Sequence, residues 1–230
     1  MKISKDDVKD TALATAKGAI SGVPIVGSLF AELIGLAQDK IADKRMAQWM
    51  GMVEEKLQKL QDKLEALAED ELFFSSIQIA TVNAMRSYQE EKRMLFANAI
   101  YNTAQLDLDS DKKLLFLSLL DRYTLTGIKL LHYYSQNHYR EEDFVRKSGS
   151  VTTHTIGGTE LPIKLVLRDN PEFQNDSAYV KTLTEQLTSD GLIFPIDFNT
   201  PESPKQARRK RTTRFGDEFL SFITVDEEAL

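Results

Sequence analysis

Three histidines are the residues of this chain whose type could hold a metal ion or move a proton near neutral pH. They stand at His132, His138 and His154. Two metal ligands on one helix must lie three or four positions apart, because only this spacing places both side chains on one face. The intervals here are six and sixteen residues. We therefore expect no metal site built on these histidines.

Other patterns that carry enzyme chemistry are missing from the sequence. The chain has no cysteine, which excludes disulfides, zinc fingers and thiol nucleophiles. It also lacks a G-x-S-x-G, an H-E-x-x-H and a dinucleotide-binding pattern. We therefore expect a protein without enzyme activity, without a catalytic residue and without a cofactor.

An acidic cluster at 107–111, DLDSD, has the spacing that opens a calcium loop. Such a loop needs a glycine at its sixth place and a glutamate at its twelfth. Lys112 and Ser118 occupy those places. Because an apolar segment follows directly, Asp109 or Ser110 is expected to cap the N-terminus of a helix instead.

The densest positive charge lies in the segment 205–214. Six cations occur there: Lys205, Arg208, Arg209, Lys210, Arg211 and Arg214. They could neutralise phosphates of DNA, or they could bind an acidic partner or an anionic lipid surface. A third interpretation is a solvated loop that balances the acidic residues of 226–228. The net charge of −6 argues against general nucleic-acid binding.

The longest apolar run lies at 18–35, GAISGVPIVGSLFAELIG, and is free of charge from Gly18 to Ala31. These 14 residues are fewer than the roughly 20 that a membrane span needs, and Pro24 interrupts them. We expect a buried, proline-broken hairpin and no constitutive span. The alternative is conditional contact with a membrane or partner protein through the apolar residues of the run: Val23, Pro24, Ile25, Val26, Leu29 and Phe30.

The first residues do not form a secretory signal, because Asp6, Asp7 and Asp10 precede the apolar run. With 42% hydrophobic and 28% charged residues, the composition is typical of a soluble globular chain. We therefore expect a cytoplasmic protein.

Long helices are predicted at 39–70 and 71–103. The first carries an apolar stripe at helical spacing: Met46, Trp49, Val53, Leu57, Leu60, Leu64 and Leu67. Such a stripe packs against partner helices in an antiparallel bundle, or it serves self-association through 46–67 as a coiled coil. The polar residues of 89–93 mark either a bend in the second helix or its solvated face.

The second half of the chain mixes helices with extended segments. Helices are predicted at 125–136, 140–147, 176–189 and 216–223, a strand at 163–167, and a hairpin from 192–198 and 208–215. Thr124 or Thr126 and Asp176 or Ser177 are expected to cap helix N-termini, and Gly191 to end a helix.

This order of elements resembles a winged-helix domain. The segments TGIKLLHYY at 126–134, KTLTEQLTSDGLI at 181–193 and TTRFGDEFLSFI at 212–223 carry the resemblance. The last is similar to the T-x-x-G-x-x-F-L-x-F-I ending of many bacterial winged-helix sequences. A long insertion at 148–175 departs from that pattern.

The first half, with G-x-P-x-V-G-S-L-x-x-E-L-I at 22–34, R-x-x-x-E-E-K-R at 86–93 and DRYTLTGIKLL at 121–131, resembles uncharacterised bacterial phage-defence proteins of the abortive-infection type. The resemblance implies a helical N-terminal domain joined to a winged-helix-like domain, with no assigned enzyme activity.

Together these patterns predict a mainly α protein. An N-terminal antiparallel bundle at 1–107 would precede a winged-helix-like α+β domain at 108–230 with a small β-hairpin. We expect a non-enzymatic interaction or effector protein in bacterial defence or stress, acting on an unknown protein partner or by conditional membrane contact. The alternative is a DNA-binding regulator that uses the helix 177–188 for recognition and the segment 205–214 as its wing.

Overall fold

A computed structural model describes residues 40–67, 69–137, 161–173 and 176–225. Within these ranges the chain is mainly helical, and 3-10 turns occur at Gln61–Lys63 and Pro171–Phe173. The helices are α1 Lys40–Gln58, α2 Leu64–Leu67, α3 Glu71–Arg86, α4 Glu90–Gln105, α5 Ser110–Arg122, α6 Leu125–Ser135, α7 Pro162–Asp169, α8 Ser177–Ser189, α9 Pro204–Ala207 and α10 Arg214–Ile223. No helix of the described ranges is long and apolar enough to cross a membrane.

The described residues divide into two compact units, one of 40–122 with 222–225 and one of 123–221. The sequence places the division at 107/108 instead. In the structure α5 packs against α3 and α4, and this packing keeps 110–122 in the first unit. The apolar run at 18–35 and the predicted helix at 140–147 lie outside the described residues.

The apolar stripe of α1 forms much of the core of the first unit. Trp49, Val53 and Leu57 are almost completely buried, and the Trp49 indole donates a hydrogen bond of 3.2 Å to Thr81 Oγ1 on α3. This burial confirms the amphipathic pattern as far as Leu60. The predicted helix 39–70 is interrupted after Gln58, where the backbone changes to i→i+3 hydrogen bonds.

The predicted helix 71–103 is likewise divided, into α3 and α4, and of the two alternatives for the polar residues of 89–93 the structure shows the bend, which begins just before them. Two arginines satisfy carbonyl groups at this break. Arg45 Nη1 donates to the Met85 carbonyl at 2.8 Å, and Arg93 Nη1 donates to the Ser87 carbonyl at 3.1 Å. A helix C-terminus leaves such carbonyls without intrahelical partners, so both side chains stabilise the end of α3.

Side chains close other helix ends of this unit in the same way. Lys113 Nζ donates to the Thr103 carbonyl at 3.0 Å, near the end of α4. Lys92 Nζ donates to the Asp121 carbonyl at 2.7 Å, near the end of α5. Burial lowers the pKa of Lys92, and the Asp121 charge opposes that shift. The Asn102 amide donates at 2.9 Å to the carbonyl of Phe222, near the end of α10.

The predicted caps of the second unit are confirmed. Thr124 Oγ1 accepts from Gly127 N at 3.1 Å, and Asp176 Oδ1 accepts from Tyr179 N at 3.0 Å. Gly191 follows α8 with a φ of 72°, the left-handed conformation that glycine adopts without strain. The Asp109 cap of α5 is confirmed in the first unit, since its carboxylate accepts from the amides of 111 and 112.

The strand predicted at 163–167 is wrong, because these residues belong to α7. Pro162 stands at the first position of this helix, where its missing N–H costs nothing. Ile163, Leu165 and Val166 are buried. The periodicity of a short apolar segment does not distinguish a strand from a helix, and Pro162 at its start is the signal in the sequence that favours a helix.

The predicted β-hairpin is also absent from the described ranges, which contain no strand. Of the predicted pairing, the structure contains one antiparallel bridge, between Ile193 and Thr212. Phe194 N donates to the Arg211 carbonyl at 2.8 Å beside it. The pairing does not extend, because Arg211 N donates at 2.8 Å to the carbonyl of Tyr134 on α6 instead of to the facing segment.

Candidate interaction surfaces

The basic segment 205–214 lies in the second unit, and the structure sorts its six cations into two groups. Three of them form ion pairs with carboxylates: Lys210 with Asp217 at 2.7 Å, Arg214 with Glu218 at 2.9 Å, and Arg211 with Glu202. Lys205 and Arg209 are exposed, and Arg208 is half-buried. Lys210 and Arg214 stay exposed within their pairs, so only Arg211 is withdrawn from solvent, and three carboxylates offset part of the positive charge of the segment.

Arg211 is the clearest departure from the predicted phosphate-binding role. Only 3% of the residue is exposed. Its guanidinium pairs with Glu202 and donates at 3.0 Å to the Gln206 carbonyl, and its backbone N–H bonds to Tyr134. Arg211 therefore binds α6 and the α9 region together inside the unit, and almost none of its surface is open to a phosphate.

Buried hydroxyl groups continue this polar network. Thr184 Oγ1 donates at 2.8 Å to the Val180 carbonyl, so its contact of 3.0 Å with the Tyr134 hydroxyl must use the phenol as donor. Burial raises the pKa of Tyr134, while the Arg211 charge opposes the shift. The Tyr134 phenol therefore stays protonated at physiological pH.

A small pocket opens beside this network. Arg209, Ala207 and Val166 line it together with Tyr133. The Tyr133 hydroxyl donates to Asp169 Oδ2 at 3.0 Å, and burial followed by the Asp169 charge raises its pKa. A phenol that keeps its proton is no general base, so this arrangement offers hydrogen bonding and not proton abstraction.

The predicted recognition helix corresponds to α8. Its inner side buries Val180, Leu183, Thr184 and Leu187. On its outer side Tyr179 is exposed, as is the acidic Glu185, and Lys181 is half-buried. With one cation and one anion on α8, this surface carries little of the positive charge that a phosphate backbone requires.

A surface that sequence reasoning missed lies on α3 in the first unit. The buried side of this helix comprises Phe73, Ser76, Ile77, Ala80, Thr81 and Ala84. Three large apolar side chains stand on the opposite side, which we term the outer face of α3: Phe74 is 37% exposed, Ile79 37% and Val82 48%. At about 100° per residue the three occupy an arc of about 140°. The sequence predicts a helix here, and the spacing of these three residues already places them away from the buried ones.

The remaining predicted site residues add no chemistry. His132 is exposed, and its Nε2 lies 3.0 Å from the Gln136 amide. His138 and His154 lie outside the described residues, as do the contact residues of the run at 23–30. In the part of the chain that the structure describes, no group of three or more His, Asp or Glu residues could hold a metal ion.

Comparison of the chain with protein-family models, curated proteins and solved structures finds no match. The candidate functional features of the chain are the basic segment 205–214, the outer face of α3 and the apolar run at 18–35.

Proposed function

We propose that this protein is a non-enzymatic effector that works by contact, binding a lipid surface through its apolar run at 18–35 in a bacterial defence or stress setting. The observation that carries the proposal is the run itself, which is uncharged over the 14 residues from Gly18 to Ala31. The first unit encloses a core around Trp49 and Phe96, both 0% exposed, and still leaves the apolar side chains of the outer face of α3 outside it. These three side chains are interleaved with the exposed Glu71, Gln78 and Arg86, so they add a second candidate contact surface and not a continuous apolar patch.

The run itself has the chemistry of a segment that enters a lipid interface. Fourteen consecutive residues from Gly18 to Ala31 carry no charge, and they include Ile25, Leu29 and Phe30. Apolar segments of about 10–14 residues are too short to span a bilayer and suit core or interfacial positions. Pro24 divides the run into two shorter pieces, which favours a hairpin at the interface over a single inserted helix.

Flotation with vesicles tests this proposal. We expect the full chain to float with vesicles of phosphatidylcholine and phosphatidylglycerol, and the double variant Val26→Asp, Leu29→Asp to partition at least about 10-fold less. Transfer of a carboxylate into an apolar membrane environment costs up to about 3 kcal/mol. About 1.4 kcal/mol already changes a partition coefficient tenfold.

The matched control places the same two charges at exposed positions of the first unit, Gln58→Asp and Ser118→Asp. It should float like the unmodified chain. If the unmodified chain and the Val26→Asp, Leu29→Asp variant partition equally, the run does not bind lipid and the proposal fails.

A second candidate function is DNA binding by a winged-helix-like second unit. The order α6, α7, α8 followed by the paired residues Ile193 and Thr212 supports it. The exposed cations Lys205 and Arg209 near that pairing could contact phosphates. The charge balance of α8 and the ion pairs of the basic segment make this the weaker of the two functions.

The salt dependence of DNA binding tests the second candidate. The double variant Lys205→Gln, Arg209→Gln should reduce the slope of log K against log salt by about 1.8, because each lost phosphate contact removes about 0.9. Fluorescence anisotropy with a mixed-sequence duplex measures the slope. Lys44→Gln with Lys129→Gln, both exposed, is the charge-matched control. Absence of duplex binding by the unmodified chain at 50 mM salt would eliminate this function.

A further inference from the structure

We infer that two copies of this chain associate through the outer face of α3, with their α3 helices antiparallel about a two-fold axis. The inference goes beyond the proposed function and does not depend on it, because neither the run at 18–35 nor a lipid takes part in the contact.

The outer face of α3 carries one charge at each end and apolar side chains between them. Glu71 and Arg86 are 15 residues apart, which is about 22 Å along the helix axis and just over four turns. The two charges therefore stand on the same side of the helix, at opposite ends. Six exposed side chains make up this surface: Glu71, Phe74, Gln78, Ile79, Val82 and Arg86.

This order of charges is complementary to itself when one copy is reversed. A two-fold axis that passes midway between positions 78 and 79 places position 71 of each copy opposite position 86 of the other. Glu71 then faces Arg86 at both ends of the contact, and the apolar side chains meet in the middle. A parallel arrangement would instead place like charges opposite each other, which is unfavourable. The face therefore specifies a second copy of the chain in one orientation.

Both charges are available for such a contact. Among the described residues, neither the Glu71 carboxylate nor the Arg86 guanidinium forms an ion pair or a hydrogen bond. Each would gain a partner of opposite charge in the dimer without breaking an existing contact to a described residue.

The stripe of α1, which the sequence offers for self-association, is occupied by the core of the first unit. Trp49, Val53 and Leu57 are at most 2% exposed, so a second copy would reach them only after the unit opened. Ile79 and Val82 are 37% and 48% exposed in the folded unit. Association through α3 therefore leaves the core intact.

The size of the contact sets its affinity. A helix of 16 residues is about 24 Å long, and six side chains cover much less than the roughly 800 Å² per partner of a standard interface. We therefore expect a weak dimer, with a dissociation constant on the order of 100 μM. Exposed ion pairs contribute little affinity, and here they act mainly on orientation.

Charge reversal tests the arrangement, with sedimentation equilibrium of the full chain from about 10 μM to about 1 mM as the measurement. Glu71→Arg places two cations opposite each other at both ends of the dimer, and Arg86→Glu places two anions there. Each variant alone should dimerise at least about 10-fold more weakly than the unmodified chain, because two attractions become two repulsions.

An equimolar mixture of the two variants is the decisive sample. One chain of the heterodimer supplies two cations and the other two anions, so both ends are paired again. The mixture should associate as tightly as the unmodified chain, and this recovery would show that both variants are folded. The double variant Glu71→Arg, Arg86→Glu should also dimerise by itself, because it only exchanges the two ends.

Matched controls make the same changes of net charge away from α3. Glu65→Arg on α2 and Lys44→Glu on α1 are substitutions at exposed positions, and both variants should associate like the unmodified chain.

Weaker association of each single variant, followed by recovery in the mixture, supports the inference. A chain that stays monomeric up to about 1 mM overturns it. Association that charge reversal leaves unchanged also overturns it, because the copies would then meet through another surface. Single variants that are weakened and do not recover in the mixture rule out the antiparallel arrangement.

Discussion

Replacement of Gly216 by alanine should destabilise the second unit by about 3 kcal/mol or more, because the new methyl group has no space. A Cβ at this position would lie 2.0 Å from the carbonyl oxygen of Leu192 and 2.9 Å from its carbon. That carbonyl also accepts a hydrogen bond from Thr213 N at 3.0 Å, so moving it breaks the pairing at the base of the predicted hairpin. Domains are stable by only about 5–15 kcal/mol, so the loss is a large fraction of the total.

Thr213 and Gly216 act together at this point. Thr213 Oγ1 accepts from Gly216 N at 3.1 Å, which caps the start of α10, and it donates to the Gly191 carbonyl at 2.6 Å. The T-x-x-G part of the sequence motif thus places the first turn of α10 directly on the backbone of 191–192. A side chain at Gly216 would separate the two.

Gly51→Ala is the matched control. Gly51 is exposed within α1, and a Cβ there meets no atom within 4 Å. Alanine should stabilise this helix by about 0.5–1 kcal/mol. Urea denaturation measures both variants, with hydrogen exchange of the α8 and α10 amides to localise the change. A Gly216→Ala midpoint equal to that of the unmodified chain would show that the Leu192 backbone moves without cost.

Arg211→Ala should destabilise the second unit by about 2–4 kcal/mol, although the residue belongs to a segment predicted to be a charged surface. The change removes the ion pair with Glu202 and the hydrogen bond to the Gln206 carbonyl, and it leaves a largely buried carboxylate without its cation. Removing one member of such a pair is costly, because the remaining charge is neither solvated nor compensated.

Arg209→Ala is the control for this prediction, since Arg209 is an exposed arginine of the same segment and should change stability by no more than about 0.5 kcal/mol. The loss of stability caused by Arg211→Lys should lie between those caused by Arg209→Ala and Arg211→Ala, because an ammonium group cannot form the two parallel hydrogen bonds of a guanidinium. Thermal and urea denaturation give the comparison. Equal losses from Arg209→Ala and Arg211→Ala would contradict the structural role of Arg211.

This result bears on every experiment that neutralises the basic segment. A variant that removes Arg211 together with its neighbours would lose binding by unfolding, and the loss would resemble a missing phosphate contact. Substitution of Lys205 and Arg209 alone avoids that ambiguity.

The sequence by itself determined those features whose causes lie within a few residues. The caps at Asp109, Thr124 and Asp176, the left-handed Gly191 and the apolar stripe of α1 were all predicted and are all present. The caps and the glycine depend on one residue and the backbone next to it, and the stripe depends on the helical period. None of these features requires knowledge of distant residues.

Only the tertiary structure decided which surfaces are available for binding. Arg209 and Arg211 are alike in sequence, but Arg211 N donates to Tyr134 on α6, which ends the hairpin pairing, and its guanidinium is buried beside Glu202. On α3, Phe74 and Phe73 are adjacent in sequence, yet only Phe73 faces the core. Exposure and charge pairing depend on the residues that folding brings close, and such partners can be far apart along the chain, as are Arg211 and Tyr134 at 77 positions.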